Sequence, residues 1–319
     1  MERIITDLRN KARRDPKKIA FPESDDERVL AAVKIVKDEG LAHPCLINSQ
    51  NMQEEKKEEF AQIYYDRRKG RGITLEEARL LMDDPLYYSA MMVKCGYMDG
   101  FIAGATFTTS SVIKAAIRCL DIDEGVRLIS GCFIMIVPDS PYGENGVFVF
   151  SDCAVIPVPS SEQLALIAIS AARFAKDVLG FSPRVAFLSF STKGSAGEKW
   201  VGRIREALEI ARRRTSDFLI DGELQADSAL VPEVAKRKLG DSAVAGRANV
   251  LIFPNLDAGN ICYKLIERLA RAKAIGPIVL GTAQPCSDLS RGCSVEDIVN
   301  STAITVIRAQ KAAMATDKG

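Results

Sequence analysis

Short β-rich runs bounded by Gly, Pro, Ser or Asn recur along this chain between longer segments whose apolar residues fall at helical spacing. The runs are Lys18–Pro22, Pro44–Asn48, Gly100–Gly104, Arg127–Val137, Gly146–Asp152, Arg184–Phe190, Asp217–Asp221, Asn249–Pro254 and Gly276–Gly281. Most are separated by roughly 10 to 20 residues with apolar positions at i, i+3, i+4 and i+7. In Ser161–Leu179, for example, Leu164, Ile167, Ala168, Ala171, Ala172, Ala175 and Leu179 share one helix face. Strand followed by helix, repeated, predicts an α/β protein with a mainly parallel sheet covered by helices on both sides. At about 150 residues per domain, 319 residues make roughly two domains. The turn-rich stretch PDSPYGENGVFVFSD, residues 138–152, is the best candidate for a crossing between them.

Charge and residue usage narrow the chemistry. Forty-three Lys and Arg against 42 Asp and Glu leave +1, so no overall field favours nucleic acid or an anionic membrane. The single histidine, His43, excludes a two-histidine zinc motif and gives a Ser-His-Asp triad only one residue to draw on. Eight cysteines without a CxxC pair read as buried small hydrophobes in a reducing cytoplasm. The N-terminus mixes both charge signs without an apolar stretch, and apolar runs such as Cys132–Val137 fall far short of the roughly 18 residues that span a bilayer. Neither a signal peptide nor a membrane helix is expected.

Neither GxxxxGK[ST] nor GxGxxG follows a strand, so a Walker NTPase and a standard dinucleotide fold lack support. Two loops carry more. SFSTKGSAGEK, residues 189–199, leaves a strand and opens a helix, and its hydroxyls, lysine and flexible backbone could hold an anion at the helix end or simply make a polar turn. DLSRGCSVEDIV, residues 288–299, leads into the last helical pattern. There Ser290 offers a hydroxyl, Arg291 a planar fork suited to phosphate or a developing oxyanion, and Gly292 a close backbone approach. Ser294 and Asp297 stand in the spacing of a capping box, as do Thr74 and Glu77, so Asp297 has a structural as well as a chemical reading.

This second loop resembles the C-terminal signature of the phosphate acetyltransferases, in the phosphate acetyl/butyryl transferase family. FPESDDERVL (21–30), RRKGRGIT (67–74), FLSFSTKGSA (187–196), IDGELQADSALVPEVA (220–235), SAVAGRANVLIFPNLDAGNICYKLIERLA (242–270) and GPIVLG (276–281) look like family blocks in family order. What the resemblance implies is two αβα domains with a cleft between them, as in isocitrate and isopropylmalate dehydrogenases: residues 1–138 with 283–319, and 139–282. It further implies a cytoplasmic homodimer that interconverts acetyl phosphate plus coenzyme A with acetyl-CoA plus phosphate, with no metal or other cofactor. Asp297 matches the proposed base for the coenzyme A thiol, and Ser290 and Arg291 the groups that stabilise phosphate and carbonyl charge. Arg68 matches an arginine that contacts coenzyme A, and the resemblance implies a contact at its 3′-phosphate. Arg268 and Arg28 match further cleft arginines, and Ser191, Thr192 and Lys193 a block bordering the site.

One stretch departs from the pattern. Where the family reads a histidine, a hydroxyl pair, an aspartate and an arginine, this chain has Phe107, Thr108, Thr109, Ser111 and Lys114. Lys114 is a point charge that cannot grip phosphate bidentately, so altered coenzyme A binding is expected there. Two alternatives frame the reading: a phosphate butyryltransferase, against which DGELQAD and SRGCSVEDIV are acetyl-type motifs, and a non-catalytic acetyl-CoA-binding regulator, against which Ser290, Arg291 and Asp297 are all present. The mechanism implied is direct thiolate attack in a ternary complex, with an acetyl-cysteine route through Cys293 as the fallback.

Overall fold

The computed structural model describes residues 2–316 other than Glu198 and Asp241. It comprises two compact units, Glu2–Ile122 with Thr282–Gly319, and Asp123–Gly281.

The discontinuous unit opens with helix α1 (Glu2–Arg13), strand β1 (Lys17–Phe21), α2 (Glu27–Asp38), β2 (Ala42–Leu46), α3 (Glu54–Arg68), α4 (Leu75–Leu81), α5 (Pro85–Lys94), β3 (Gly100–Ala103) and α6 (Thr109–Cys119). Local chemistry sets the helix starts. Thr74 and Glu77 form the expected capping box, Asp84 caps α5 with Pro85 in its first turn, and Thr108 caps α6.

The contiguous unit holds β4 (Ser130–Ile136), β5 (Val147–Ser151), α7 (Ser161–Phe174), β6 (Arg184–Leu188), α8 (Lys199–Arg214), β7 (Leu219–Leu224), α9 (Ala226–Leu230), α10 (Pro232–Leu239), β8 (Val250–Ile252), α11 (Leu256–Leu269) and β9 (Lys273–Leu280). Its strands run in the order β9-β4-β5-β8-β6-β7. β5, β8, β6 and β7 are parallel, whereas β4 pairs antiparallel with both β5 and β9. Phe133, Phe148, Phe150, Leu251 and Phe253 anchor its core, with Tyr263 of α11 stacked on Phe133 at 4.1 Å.

The chain then returns to the first unit through β10 (Cys286–Asp288) and α12 (Val295–Thr316). In that unit the order is β2-β1-β3-β10, all parallel. β3 is buried along its whole length, because α12 and α5 both pack on β1 and β3. The α/β class and the mainly parallel pairing agree with the sequence reading.

Residues 138–152 correct it. They form the turn and return strand of the β4–β5 hairpin, with positive φ at Asp139, Gly143, Asn145 and Gly146. Their turn residues therefore reverse the chain inside one unit, and the units divide at 122/123 and 281/282. Residues 123–138 go with the contiguous unit because β4 is hydrogen-bonded to β5 and β9.

Candidate active site

In a parallel α/β sheet the loops leaving the carboxyl ends of the strands converge, and ligands bind there. In the discontinuous unit those loops follow β1, β3 and β10. Two charged side chains knit them together. Glu23, from the β1 loop and buried, accepts the backbone N–H groups of Gly104 (3.0 Å), Ala105 (2.9 Å), Thr106 (2.6 Å) and Phe107 (2.8 Å), plus the Thr106 hydroxyl (2.9 Å). The whole β3–α6 loop thus hangs on one carboxylate.

Arg28, in the first turn of α2, does the corresponding work with donors. Its Nε and Nη2 grip Asp26 at 3.0 and 2.7 Å, Nη2 also reaches the Ala105 carbonyl (2.9 Å), and Nη1 reaches the carbonyls of Arg291 (2.8 Å) and Cys293 (3.1 Å). The Asp26 carboxyl is held below its usual range, mainly by the Arg28 guanidinium. All five N–H donors of Arg28 are engaged within the protein. It holds the β10–α12 loop in place, a different use from the ligand contact implied by the resemblance.

That loop presents the residues with free chemical capacity. Ser290 and Arg291 are exposed, and among the described residues the Arg291 guanidinium has no ion-pair partner. Asp297 sits in the first turn of α12 and completes the expected capping box: Oδ2 accepts from the Ser294 N–H (2.9 Å) and hydroxyl (2.8 Å), and the Asp297 N–H donates to Ser294 Oγ (3.2 Å). Its structural role therefore uses one carboxylate oxygen and fixes the direction of the other. Cys293 is buried, and burial raises its thiol to about 11. Few such thiols are ionised at neutral pH, which disfavours an acetyl-cysteine step.

Directly before the loop, Asp288 ends β10 with no exposed surface and no hydrogen-bond partner for either carboxylate oxygen. Burial raises it to about 7, with the Glu23 charge adding to the effect and Thr109 offsetting it only in part. A Cβ on Gly104, whose φ is +117°, would lie 2.5 Å from Asp288 Oδ1, so only glycine fits the close approach of the two loops.

In the contiguous unit, the Ser191–Lys193 block wraps an anion of the chain's own. Ser191 Oγ (3.0 Å) and the Gly194 N–H (2.8 Å) donate to Glu223, which Arg205 also binds at 3.0 Å. Burial opposes the charge of Glu223, but these bonds outweigh it and hold the carboxyl below its usual range. Thr192 Oγ1 bonds Gln225, accepting its N–H at 3.0 Å, and Lys193 Nζ pairs with Asp221. Of the two readings the loop allows, anion holder or polar turn, its hydroxyl, N–H and ammonium donors are thus met here by internal carboxylates. Arg268 lies apart at the end of α11 with its side chain 82% exposed, 4.0 Å from Glu267.

Arg68, at the end of α3, lines a separate cavity in the discontinuous unit, and Lys114 is exposed on α6. His43 is exposed on β2, and among the described residues no cysteine is in a disulfide. Among the described residues there is no group of three His, Cys, Asp or Glu able to hold a metal, and no helix long and apolar enough to cross a membrane. Sequence reasoning missed the roles of Glu23, Asp288 and Glu223. Each lies within a quoted block, but an isolated carboxylate in a loop or strand carries no local sign of being buried.

Comparison with known proteins adds to this geometry. A family model described as phosphate acetyl/butaryl transferase matches residues 3–306. A phosphate acetyltransferase from Thermoanaerobacterium thermosaccharolyticum is 47% identical over 96% of this chain and 99% of its own, and one from Acetivibrio thermocellus is 44% identical over 97% and 98%. The crystal structure of a phosphotransacetylase from Streptococcus pyogenes superposes with a TM-score of 0.91 at 37% identity, covering 98% of this chain and 99% of its own.

Proposed function

The chain belongs to the phosphate acetyl/butyryl transferase family, and from that premise we propose that it catalyses the reversible transfer of acetyl between acetyl phosphate and coenzyme A. The observation that carries the proposal beyond family membership is the β10–α12 loop. It offers an unpaired guanidinium, a hydroxyl and a carboxylate with one oxygen unengaged, on a loop whose Arg291 and Cys293 carbonyls Arg28 binds.

In the forward direction, Asp297 accepts the thiol proton of coenzyme A through its unengaged oxygen. The thiolate attacks the acetyl carbonyl, forming the S–C bond as the C–O bond to phosphorus breaks, and phosphate leaves with the electron pair. Arg291 and Ser290 neutralise and hold the phosphate as it departs. A carboxylate is a weak base toward a thiol of pKa about 8.5, so water must be excluded from the reacting atoms for the transfer to be efficient. Arg28 and the Ser191–Lys193 block serve as positioning groups, Arg68 and Lys114 as coenzyme A contacts, and Arg268 as an exposed cation for an anionic substrate group. No metal or other cofactor takes part.

The test is thioester formation from acetyl phosphate and coenzyme A by the purified protein in the presence of a chelator, beside butyryl phosphate. Acetyl-selective turnover is the expected result. Butyryl preference would move the assignment within the family, and acetyl-CoA binding without turnover would make the protein a regulator.

A homodimer accompanies this proposal. On α11, Ile261, Leu265 and Leu269 stand 57%, 52% and 80% exposed at successive turns, an apolar row that a second copy would cover. Leu265→Asp is expected to shift the protein from dimer to monomer in sedimentation equilibrium; a wild-type monomer, or a dimer indifferent to the change, would refute it.

A further inference from the structure

The five donors on the Glu23 carboxylate divide between its two oxygens. Oε2 accepts the N–H groups of Gly104 and Ala105, and Oε1 those of Thr106 and Phe107 together with the Thr106 hydroxyl. Consecutive amides converging on one anion pin the backbone of 104–107 at every residue. Glu23 itself takes no chemical step in acetyl transfer, yet both ends of the segment that carries Ser290 and Arg291 lean on residues it holds. At the near end, Gly104 packs on Leu289. A Cβ on Gly104 would lie 2.5 Å from both the nitrogen and the carbonyl oxygen of Leu289, whose N–H donates to the carbonyl of Ala103 at 2.7 Å. At the far end, the Ala105 carbonyl accepts Arg28 Nη2, and Nη1 of the same guanidinium donates to the carbonyls of Arg291 and Cys293. Asp26, bound to Nε and Nη2, and Ala105 together fix the plane of that guanidinium, and with it the direction of Nη1. Ser290 and Arg291 lie between these two supports, in a turn closed by the Cys293 N–H on the Ser290 carbonyl at 2.8 Å.

We propose that Glu23 is a positioning residue for acetyl transfer: by fixing Gly104 and Ala105 it sets, through Leu289 and Arg28, the place of Ser290 and Arg291 against the departing phosphate. The kinetic consequence rests on the acetyl transfer proposed above; the support that Glu23 gives to residues 289–293 does not. A neutral isostere cannot repeat the arrangement. The amide of Glu23→Gln has one oxygen, and its NH2 is a donor facing donors, so either the Gly104 and Ala105 amides or those of Thr106 and Phe107 lose their acceptor.

The test measures thioester formation and amide hydrogen exchange in the intact wild type, Glu23→Gln, Glu23→Ala and Thr106→Val. In Glu23→Gln, kcat is expected to fall about 10- to 100-fold with KM for coenzyme A within about threefold, because misplacing a positioned group by about 1 Å costs up to about 100-fold. A cavity of about 390 Å³ borders Glu23, Thr106 and Phe107 and admits a small carboxylate to the amides that Glu23→Ala leaves unmet. Formate is therefore expected to raise kcat of Glu23→Ala about tenfold, and formamide, which carries no charge, to leave it unchanged. Unchanged kcat in Glu23→Gln, a loss carried by KM, or no response to formate would overturn the proposal. Thr106→Val removes one of the five donors and keeps the carboxylate, so kcat is expected to fall about two- to fivefold. Should the Glu23 variants not fold, unchanged kcat in Thr106→Val would overturn the proposal in their place. Exchange reads the positioning without turnover: the Leu289 and Cys293 amides, both hydrogen-bonded in the wild type, are expected to exchange about tenfold faster in Glu23→Gln, while those of β6 keep their rates. Faster exchange in a protein whose wild type forms no thioester would sustain the support by Glu23 and defeat the acetyl-transfer assignment. Turnover by the wild type, with kcat and exchange both unchanged in Glu23→Gln, would do the reverse.

Discussion

Asp297→Asn is expected to lower kcat for acetyl transfer by about 10²- to 10⁴-fold, the range for loss of a general base, while leaving coenzyme A affinity within about twofold. The substitution isolates the chemistry because the amide is isosteric and its oxygen still accepts from the Ser294 N–H and hydroxyl that now bond Oδ2. Helix α12 therefore keeps its start, and the stability cost stays at or below about 1 kcal/mol. What disappears is the capacity to take the thiol proton. Steady-state rates beside calorimetric titration with coenzyme A separate the two properties. A variant with full turnover would reduce Asp297 to its capping role and require another base.

Asp288→Asn is expected to act on stability, with opposite results at two pH values. The buried Asp288 carboxyl is raised to about 7, against a usual aspartate value of 3.8. Between those values the native protein holds a proton that the unfolded chain has released, so stability falls as pH rises through the window. The full cost is present above pH 7 and absent below about pH 4. About three pH units correspond to roughly 4 kcal/mol as an upper bound. Urea unfolding should show the variant gaining as much as about 4 kcal/mol on the wild type at pH 8 relative to pH 4. The unmet hydrogen bonds of the new amide weigh equally at both pH values and cancel in that difference. An equal stability change at pH 4 and pH 8 would show that Asp288 is ionised and solvated in the native state.

What could be read in advance follows from the distance over which each feature is encoded. The two capping boxes, Thr74 with Glu77 and Ser294 with Asp297, are set by neighbours three residues apart and appear as read. Strand and helix periodicities are local too, and most runs fall on the observed strands. β10 escaped because three residues, Cys286–Asp288, give no alternation to detect, although this strand delivers the candidate catalytic loop. The same Gly and Asn that suggested a domain crossing at 138–152 serve equally for a hairpin, and only the pairing of β4 decides between them.

The site was legible as a list of residues and illegible as an arrangement. Arg28 and Arg291 are 263 positions apart in the chain, so nothing near either one signals that the first carries the backbone of the second. The sequence leaves Ser191 and Lys193 open between an anion site and a polar turn, because Glu223 and Asp221, the partners that decide it, lie on a different strand.

The discontinuity of one unit also has a consequence for biosynthesis. Residues 123–281 are contiguous and can close as soon as they leave the ribosome, whereas β3 lacks its neighbour β10, and β1 and β3 lack the cover of α12, until residues 286–316 have been made. During translation the first segment therefore waits with an unpaired strand edge and uncovered apolar surface, the condition in which nascent chains aggregate or recruit chaperones. Completion of that unit and assembly of the β10–α12 loop are then one event: a ribosome that stalls before residue 282 leaves a chain without β10 and without Ser290, Arg291 or Asp297.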